Sequence, residues 1–463
     1  MSGFLVSGFL MSSFSPLGSQ LYGASFSNAR VAALFTDEHH IKTMLEVEAA
    51  LARAQAKLGL IPEGAALEIE SATHSLEVDI TQLRTGIAND GFPVIELVRQ
   101  LRANVSSNAA DFVHFGATTQ DILDTANALR IRASLETIRG LLEKIIAQLA
   151  QLARAHRSTI MAGRTHTQHA LPITFGFKVA GWLAPLLRHH QRLQELEPRL
   201  NVVQFGGAVG TLAALGNRGL KVQHALATEL RLNDPLMPWH TQRDNITELA
   251  GWFALVTSSL GKMAQDVLLL AQSEIAEVRE SDDMTRGGSS TMPQKSNPIT
   301  SELILTIARM NATLLPALHH ANLHEHERGT HGMQLEWLTL AQMIGLTSGA
   351  LEQAVNLSQN MVVNADRMLE NVQASHGLML AEALSFALAQ HMPKTDAKRL
   401  SADLARESLE KKRNLIELAR AKIALPLDWD SLQESNYLGS SDAVIDRLLE
   451  AVNLMERERI HRA

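Results

Sequence analysis

Apolar residues recur along most of the chain at alternating steps of three and four, the spacing that places side chains on one face of an α-helix. The first clear stripe ends at Gly59 and Pro62, and it consists of Met44, Val47, Leu51, Ala54 and Leu58. We predict an amphipathic surface helix here. A stricter repeat of heptad type predicts a helix packed against another helix, and it consists of Leu135, Ile138, Leu142, Ile145, Leu149 and Leu152.

Between Leu249 and Ile275 the apolar residues cover most of the helical circumference, which predicts a helix buried inside a bundle or between subunits. Strand signals are few: the run Val-Val-Gln-Phe at 202–205, before Gly206 and Gly207, could open one short hairpin, and little else alternates. We therefore predict an all-α fold. Composition shifts predict an N-terminal domain over residues 16–112, a central helical domain over 113–365 and a C-terminal helical domain over 366–463.

The first 15 residues are predicted to be a disordered extension, with Met11 as an alternative start. The apolar repeat Ser-Gly-Phe-Leu imitates an export signal, but no Lys or Arg precedes Arg30. No uninterrupted apolar run approaches the length of a membrane span. The net charge of −7 disfavours nucleic acid or an acidic membrane as partner. The chain has no cysteine, which excludes thiolate chemistry and favours the cytoplasm.

The richest polar segment runs from Gly288 to Pro298, with the sequence Gly-Ser-Ser-Thr-Met-Pro-Gln-Lys-Ser-Asn-Pro, ahead of an apolar helical stretch. Asn297 lies where a helix N-cap belongs, and Pro298 lies where the first helical residue belongs. Lys295 and the N–H groups from Ile299 onward would then direct positive potential at one point, which suits a carboxylate. An ordinary capped loop explains any one of these residues but not the whole string.

Two further segments are polar where the helical pattern predicts nothing special. In the first, residues 114–121, Thr118 stands three residues before Asp121 at a predicted helix start, and simple capping is the structural alternative. The second, residues 163–170, reads Gly-Arg-Thr-His-Thr-Gln-His-Ala. We predict a loop rich in hydrogen-bond donors there, just before a helix that opens near Pro172.

Histidine pairs raise the question of zinc. His166 and His169 lie three apart, and His324 and His326 flank Glu325, but neither pair has a third ligand at metal spacing. The glycines between 206 and 210 do not match a dinucleotide-binding loop and lack a βαβ context, so a tight turn is expected there. We predict neither a metal nor a cofactor.

Together the three polar segments resemble the three signature regions of the fumarase/aspartase superfamily, in the same order, and the similarity extends from about Pro16 through the rest of the chain. The resemblance implies a three-domain helical protomer whose central bundle of long helices forms a homotetramer. Each active site would combine segments from three subunits. The family chemistry is addition or elimination across a C–C bond beside a carboxylate, through an aci-carboxylate carbanion.

In that scheme Ser289 moves the proton on carbon, and Lys295 and Asn297 stabilise the carboxylate and its extra charge. A serine alkoxide needs such a cation, backbone N–H groups and a helix N-terminus nearby. His166 is the second candidate catalytic residue. The candidate substrate contacts are His114, Thr118, Thr119, Gln120, Arg30, Arg164, Gln242, Arg243 and Arg328. Each of these arginines could instead form a structural ion pair.

Two branches of the superfamily fit the first segment. Adenylosuccinate lyases resemble this chain at Glu327-Arg328 but continue with serines and an arginine that help hold a phosphate, where this chain has Trp337. The stretches 204–208, 238–244 and 324–328 resemble a cycloisomerase branch, which lactonises a tricarboxylate muconate without a cofactor. The resemblance therefore favours a small tricarboxylate substrate.

Because His166 is present, a lyase activity remains the alternative function: elimination of an amine or hydroxide requires a proton donor, and lactonisation does not. If the chain lactonises its substrate, we expect His166 to orient or neutralise a carboxylate. A non-enzymatic helical scaffold is the remaining alternative, but it gives no reason for Ser289, Lys295 and Asn297 to occur together.

Overall fold

The structure is a computed structural model, and it describes residues 15–283, 286–288, 291, 292 and 295–462, with side chains to residue 459. Helices dominate it, which confirms the predicted all-α class. Its helices are α1 (Gly23–Phe26), α2 (Ala29–Ala33), α3 (Asp37–Lys57), α4 (Glu63–Ser75), α5 (Ile80–Asp90), α6 (Val94–Ala103), α7 (Ser107–Ala110), α8 (Thr119–Ala155), α9 (Phe175–Leu200), α10 (Gly219–Leu230), α11 (Asp244–Leu270), α12 (Ile299–Ala321), α13 (Thr330–Asn360), α14 (Ala365–Gln373), α15 (Ala381–Ala389), α16 (Lys394–Lys411), α17 (Leu415–Lys422) and α18 (Ser441–Arg462).

Contacts divide the chain into two compact units, and the long helices α8, α9, α11, α12 and α13 contribute residues to both. The first unit comprises residues up to 141 together with 191–257 and 307–350. The second comprises 142–190, 258–306 and the chain from 351 onward. The three-domain division at 112 and 365 stays a prediction, and nearly all of the predicted extension lies outside the described residues.

The core of the first unit includes the predicted stripe on α3, where Met44, Val47, Leu51 and Ala54 are at most 1% exposed. Thr36 caps this helix by accepting the N–H of His39 at 3.2 Å, and two acidic residues in the first turn favour the positive end of the helix. In the second unit, α15, α16 and α17 pack a core of leucines and alanines.

The helix α11 is buried over most of its circumference, as its pattern predicts, but it ends at Leu270 rather than Ile275. Leu255 and Leu269 are 49% and 44% exposed and mark one open stripe. Within the described residues, α11 alone is long and apolar enough to cross a membrane, although it contains Lys262 and Asp266. Its burial is equally typical of a core helix in a soluble protein.

Two short antiparallel sheets complete the second unit. The longer joins β1 (Ile160–Thr165) to β2 (Gln168–Thr174), and the shorter joins β3 (Val278–Arg279) to β4 (Val362–Val363). The hairpin expected at 202–205 is wrong, because that run enters the core of the first unit with only a single bridge at Val202. The loop expected at 163–170 is also wrong: this segment comprises the end of β1, a two-residue turn at His166 and Thr167, and the start of β2, and Pro172 lies inside β2 where a helix was expected to open.

Candidate active site

The carboxylate of Asp121 holds the first polar segment together. It accepts the backbone N–H of Thr118 at 3.0 Å, as in one half of a capping box, and α8 begins one residue later. It also accepts the N–H groups of Gly206 and Gly207, both at 2.9 Å, and bonds to His240 Nε2 at 2.7 Å. The side chain is only 1% exposed, so these partners satisfy a carboxylate that is otherwise costly to bury.

Arg328 ties the same turn to the first segment. Its Nη1 donates to Thr118 Oγ1 at 2.8 Å, and its Nη2 donates to the carbonyls of Gly207 at 3.2 Å and Ala208 at 2.8 Å. Gly207 has a φ of 67°, which favours glycine and agrees with the expected tight turn. Arg328 thus already has three acceptors here, and its contact with a substrate anion stays a prediction.

Arg243 forms a fully buried ion-pair network in the same unit. Its guanidinium donates to Asp124 at 2.8 and 3.0 Å and to Glu336 at 3.0 and 2.6 Å, and it lies 4.7 Å from the centre of the Trp239 ring. Burial alone would lower the pKa of Arg243, but the two carboxylates outweigh it and raise that pKa. The structure therefore favours the structural alternative for Arg243 over a contact with substrate.

Gln120 is buried as well, and its amide nitrogen bonds inside the protein, whereas its Oε1 has no hydrogen-bond partner among the described residues. Its Nε2 donates to Asp124 Oδ2 at 3.0 Å and to the His240 carbonyl at 2.8 Å. These bonds hold the first turn of α8 in place, so the amide nitrogen of Gln120 is not free to meet a substrate. Thr119 is half-buried and Gln242 is exposed, and their roles as substrate contacts stay predictions.

His114 precedes this turn and is paired with a carboxylate that its sequence context does not reveal. Its Nδ1 lies 2.6 Å from Glu48 Oε1, and the Glu48 side chain is 2% exposed. Burial lowers the pKa of His114, but Glu48 and, more weakly, Asp121 outweigh burial and the opposing charge of Arg102, so the pKa is raised. Glu48 lies on the buried face of α3, and an acidic residue within an apolar stripe is the only signal that could have pointed to it.

The second segment forms the tip of the β1–β2 hairpin in the second unit. His166 and Thr167 occupy the turn with φ values of 49° and 64°, a conformation that is unusual for non-glycine residues and more so for a β-branched threonine. Both side chains are exposed. A cavity of about 430 Å³ adjoins this tip and is lined by residues of 167–170, Ser375, Leu378 and Met379.

Arg164 lies on β1, next to this tip, and is paired with a buried carboxylate. Its Nη1 and Nη2 donate to Glu277 at 2.9 and 2.7 Å, and Asn371 Nδ2 donates to the same carboxylate at 2.8 Å. The Glu277 side chain has no exposed surface, so the two groups form a bidentate structural pair. His169 lies opposite Arg164 on the neighbouring strand. Burial lowers the pKa of His169, and the positive charge of Arg164 lowers it further.

The third segment is described only in part, and Ser289 lies outside the described residues. Lys295 is exposed. Asn297 closes the base of the loop, because its backbone N–H and its Nδ2 both donate to the Gly287 carbonyl, at 2.8 and 2.9 Å. Gly287 has a φ of 66°, and a β-carbon there would lie 2.2 Å from the Asn297 carbonyl oxygen, so only glycine fits.

The N-terminus of α12 differs from the prediction. Helix α12 begins at Ile299, and the Asn297 side chain donates to the loop instead of capping the helix. Glu280 takes the capping role: it accepts the N–H groups of Thr300 at 3.0 Å and Ser301 at 2.6 Å, and the Ser301 hydroxyl at 2.5 Å. These N–H groups are therefore not free for a substrate carboxylate, because a protein carboxylate already satisfies the positive helix end.

The remaining predicted residues do not assemble into a further centre. Arg30 is exposed on α2. Both ring nitrogens of His324 are buried without a hydrogen-bond partner in the described residues. Among those residues, no group of three or more His, Asp or Glu side chains is placed to hold a metal ion.

Comparison with known proteins gives one consistent family. A family model described as lyase matches residues 25–310. The 3-carboxy-cis,cis-muconate cycloisomerase of Pseudomonas aeruginosa is 42% identical, over 93% of this chain and 96% of that protein. The crystal structure of the 3-carboxy-cis,cis-muconate lactonizing enzyme from Pseudomonas putida superposes with a TM-score of 0.89 at 40% identity, covering 94% of this chain and 99% of that one. A fumarate lyase from Mesorhizobium sp. BNC1 superposes with a TM-score of 0.86 at 42% identity, covering 93% and 99%.

Proposed function

The chain belongs to the fumarase/aspartase superfamily of lyases, and from this membership we propose that it is a cycloisomerase that converts 3-carboxy-cis,cis-muconate to 4-carboxymuconolactone in protocatechuate catabolism. The observation that carries the proposal is similarity of about 40% identity over almost the whole chain to relatives that bear this name. The reaction requires positive groups for three carboxylates and no cofactor.

The setting of Trp337 also supports a substrate without phosphate. This indole follows the Glu327-Arg328 pair at the place where adenylosuccinate lyases carry a phosphate-binding arginine. It packs edge to face against Phe92 with ring centres 6.0 Å apart, which is an apolar contact. An indole has one N–H donor and no charge, so it cannot replace an arginine as a phosphate partner.

In the proposed reaction, a substrate carboxylate oxygen adds to the diene and the displaced electron pair moves toward the neighbouring carboxylate. The resulting aci-carboxylate takes a proton on carbon from the Ser289 hydroxyl, and solvent restores the serine proton. Lys295 stabilises the extra negative charge as it develops. The substrate trianion gains one proton from solvent through Ser289 and becomes a dianionic lactone, so atoms and charge balance.

The first segment contributes the substrate contacts of His114, Thr118 and Thr119, held in place by Asp121 and Arg328. His166 orients or neutralises a carboxylate from the tip of the hairpin. The protein acts as a cytoplasmic homotetramer, with segments from different subunits in each site and with neither nucleic acid nor membrane as partner. The exposed Leu255 and Leu269 on the otherwise buried α11 support association through this helix.

A fumarate-releasing lyase is the second candidate. The observation in its favour is His166, which is exposed at a strained turn and could protonate a leaving amine or hydroxide. The similar fumarate lyase from Mesorhizobium points the same way.

A turnover assay separates the two candidates. Purified protein should consume 3-carboxy-cis,cis-muconate, followed as loss of the diene ultraviolet absorbance, and should release no fumarate from adenylosuccinate or argininosuccinate. The Ser289→Ala variant serves as the control for background reaction. Fumarate release at comparable efficiency would contradict the assignment to the cycloisomerase branch.

A further inference from the structure

The pair formed by Glu48 and His114 has a geometry that a structural ion pair alone does not require. The Glu48 carboxylate is nearly inaccessible, whereas the His114 side chain keeps 15% of its surface exposed. Only Nδ1 of the imidazole faces Glu48, at 2.6 Å. Within the described residues, no hydrogen bond engages the other ring nitrogen, Nε2, which leaves one side of the ring available to a ligand.

The backbone around His114 is held from both sides in a conformation that costs free energy. His114 has a φ of 62°. Arg102 Nη2 donates to the Val113 carbonyl at 3.0 Å, and the buried Gln55 Nε2 donates to the Phe115 carbonyl at 2.7 Å. A non-glycine residue persists in this region only where its surroundings enforce it, which occurs most often at functional sites.

Charges around the ring favour the protonated form. Burial opposes protonation, and Arg102 on α6 also opposes it. Glu48 on α3 and Asp121 on α8 favour it, and their combined effect raises the pKa of His114. Asp121 is itself satisfied by Thr118, two glycine N–H groups and His240, so Glu48 is the carboxylate in direct contact with His114.

We propose that Glu48 is a positioning residue that keeps His114 as an imidazolium, so that its Nε2–H donates to one carboxylate of the substrate. The inference rests on the proposed function, because it deepens the account of how the first segment binds a tricarboxylate. An imidazolium donates from both ring nitrogens, and Glu48 occupies one of them. A hydrogen bond from the second nitrogen to a carboxylate is then charge-assisted.

The first test measures protonation without substrate. Exchange of the imidazole C2 proton, followed by mass spectrometry of peptides, reports the pKa of each histidine. Glu48→Gln preserves the shape and the hydrogen bond but removes the charge, and the pKa of His114 should fall. Glu48→Asp keeps the charge and should largely preserve that pKa. An unchanged pKa of His114 in Glu48→Gln would overturn the proposal.

The second test measures kinetics with 3-carboxy-cis,cis-muconate across pH. Glu48→Gln should raise KM on the order of tenfold at neutral pH, the size expected for a lost hydrogen bond between charged groups, with a smaller effect on kcat. KM should recover as the pH falls and His114 regains its proton. Glu48→Asp should stay close to wild type.

Asp234→Asn is the matched control, because Asp234 pairs with His224 at 3.3 Å on an exposed surface. It should change neither KM nor its pH dependence. A uniform loss of kcat in Glu48→Gln at every pH would indicate only a structural role and would overturn the proposal. If the wild type does not turn over the muconate, the proposed function fails, while the proton-exchange experiment still decides the state of His114.

Discussion

The buried network of Arg243, Asp124 and Glu336 offers a quantitative test of the structure. Arg243→Met replaces the guanidinium with an apolar side chain of similar length and leaves two carboxylates facing each other. All three side chains are at most 4% exposed, so water cannot replace the lost hydrogen bonds without rearrangement. Breaking a buried pair by removing one partner typically costs about 3–5 kcal/mol. Here one arginine serves two carboxylates, so we expect a value toward the upper end of that range.

Urea unfolding, followed by circular dichroism at one fixed protein concentration, measures this loss. For a slope of about 3 kcal/mol per molar urea, the midpoint should fall by roughly 1–1.7 M. The concentration must be matched because association adds to apparent stability. Arg199→Met is the control: Arg199 also contacts both oxygens of a carboxylate, Glu248, but both side chains are about half exposed. An exposed pair contributes about 0–1 kcal/mol.

The stability loss of Arg243→Met should also depend on pH in a defined direction. Burial already raises the pKa of Asp124 in the intact protein, and loss of Arg243 should raise it further. A carboxyl group with a folded-state pKa above its unfolded value contributes stability below the unfolded pKa, and this contribution is lost as pH rises through the folded pKa. The deficit of Arg243→Met should therefore shrink as the solution is acidified. Equal midpoints for Arg243→Met and Arg199→Met would refute the reasoning.

Three further predictions concern the reaction and the assembly. Ser289→Ala should lower kcat by several orders of magnitude with little change in substrate affinity, whereas Lys295→Ala should impair both; a tenth of wild-type turnover in Ser289→Ala would require another proton carrier. Activity should survive prolonged chelation without added metal, and a metal-dependent recovery would contradict this. When Ser289→Ala is refolded together with an inactive Thr118 variant, roughly one site in four should regain activity. If oligomers that mass measurement shows to contain both variants stay inactive, both segments of a site come from one chain.

Helix periodicity predicted those helices whose buried face can be recognised from the sequence of the helix itself. Four of the five stripe positions, all on α3, and five of the six heptad positions on α8 are buried, as their spacing indicates; Leu58 and Leu152 are half-buried. The β1–β2 hairpin was missed because its turn has His166 and Thr167 at positive φ instead of the glycine or asparagine that marks such turns. The conformation occurs between two paired strands, and Thr167 Oγ1 donates to the His166 carbonyl at 2.6 Å, so no residue type in the turn marked it in advance.

Residue type marked candidate positions for the chemistry, but it did not show which partner each side chain would find. Arg164 and Arg243 were candidates for binding an anion, and each is paired with a carboxylate distant in sequence. Glu277 lies 113 residues from Arg164, and Asp124 lies 119 residues from Arg243. A buried charge needs a counter-charge, and the fold supplies it from a distant part of the chain. A sequence shows the charge without showing which distant residue meets it.

The capping of α12 by Glu280 changes the electrostatic account of the signature loop. The positive end of a helix corresponds to about half an elementary charge, and an ionised carboxylate bound there more than offsets it. A serine alkoxide in the loop was expected to draw on three supports: a cation, backbone N–H groups and the helix end. Because the N–H groups of Thr300 and Ser301 bond to Glu280, the helix end stabilises the base of the loop and does not stabilise a negative charge on the serine. Lys295 is then the one positively charged side chain within the segment 288–298. The same contacts, with the Gly287–Asn297 bonds, tie the residues that flank the proposed catalytic loop to the start of α12, so the helix terminus stabilises the base of the loop.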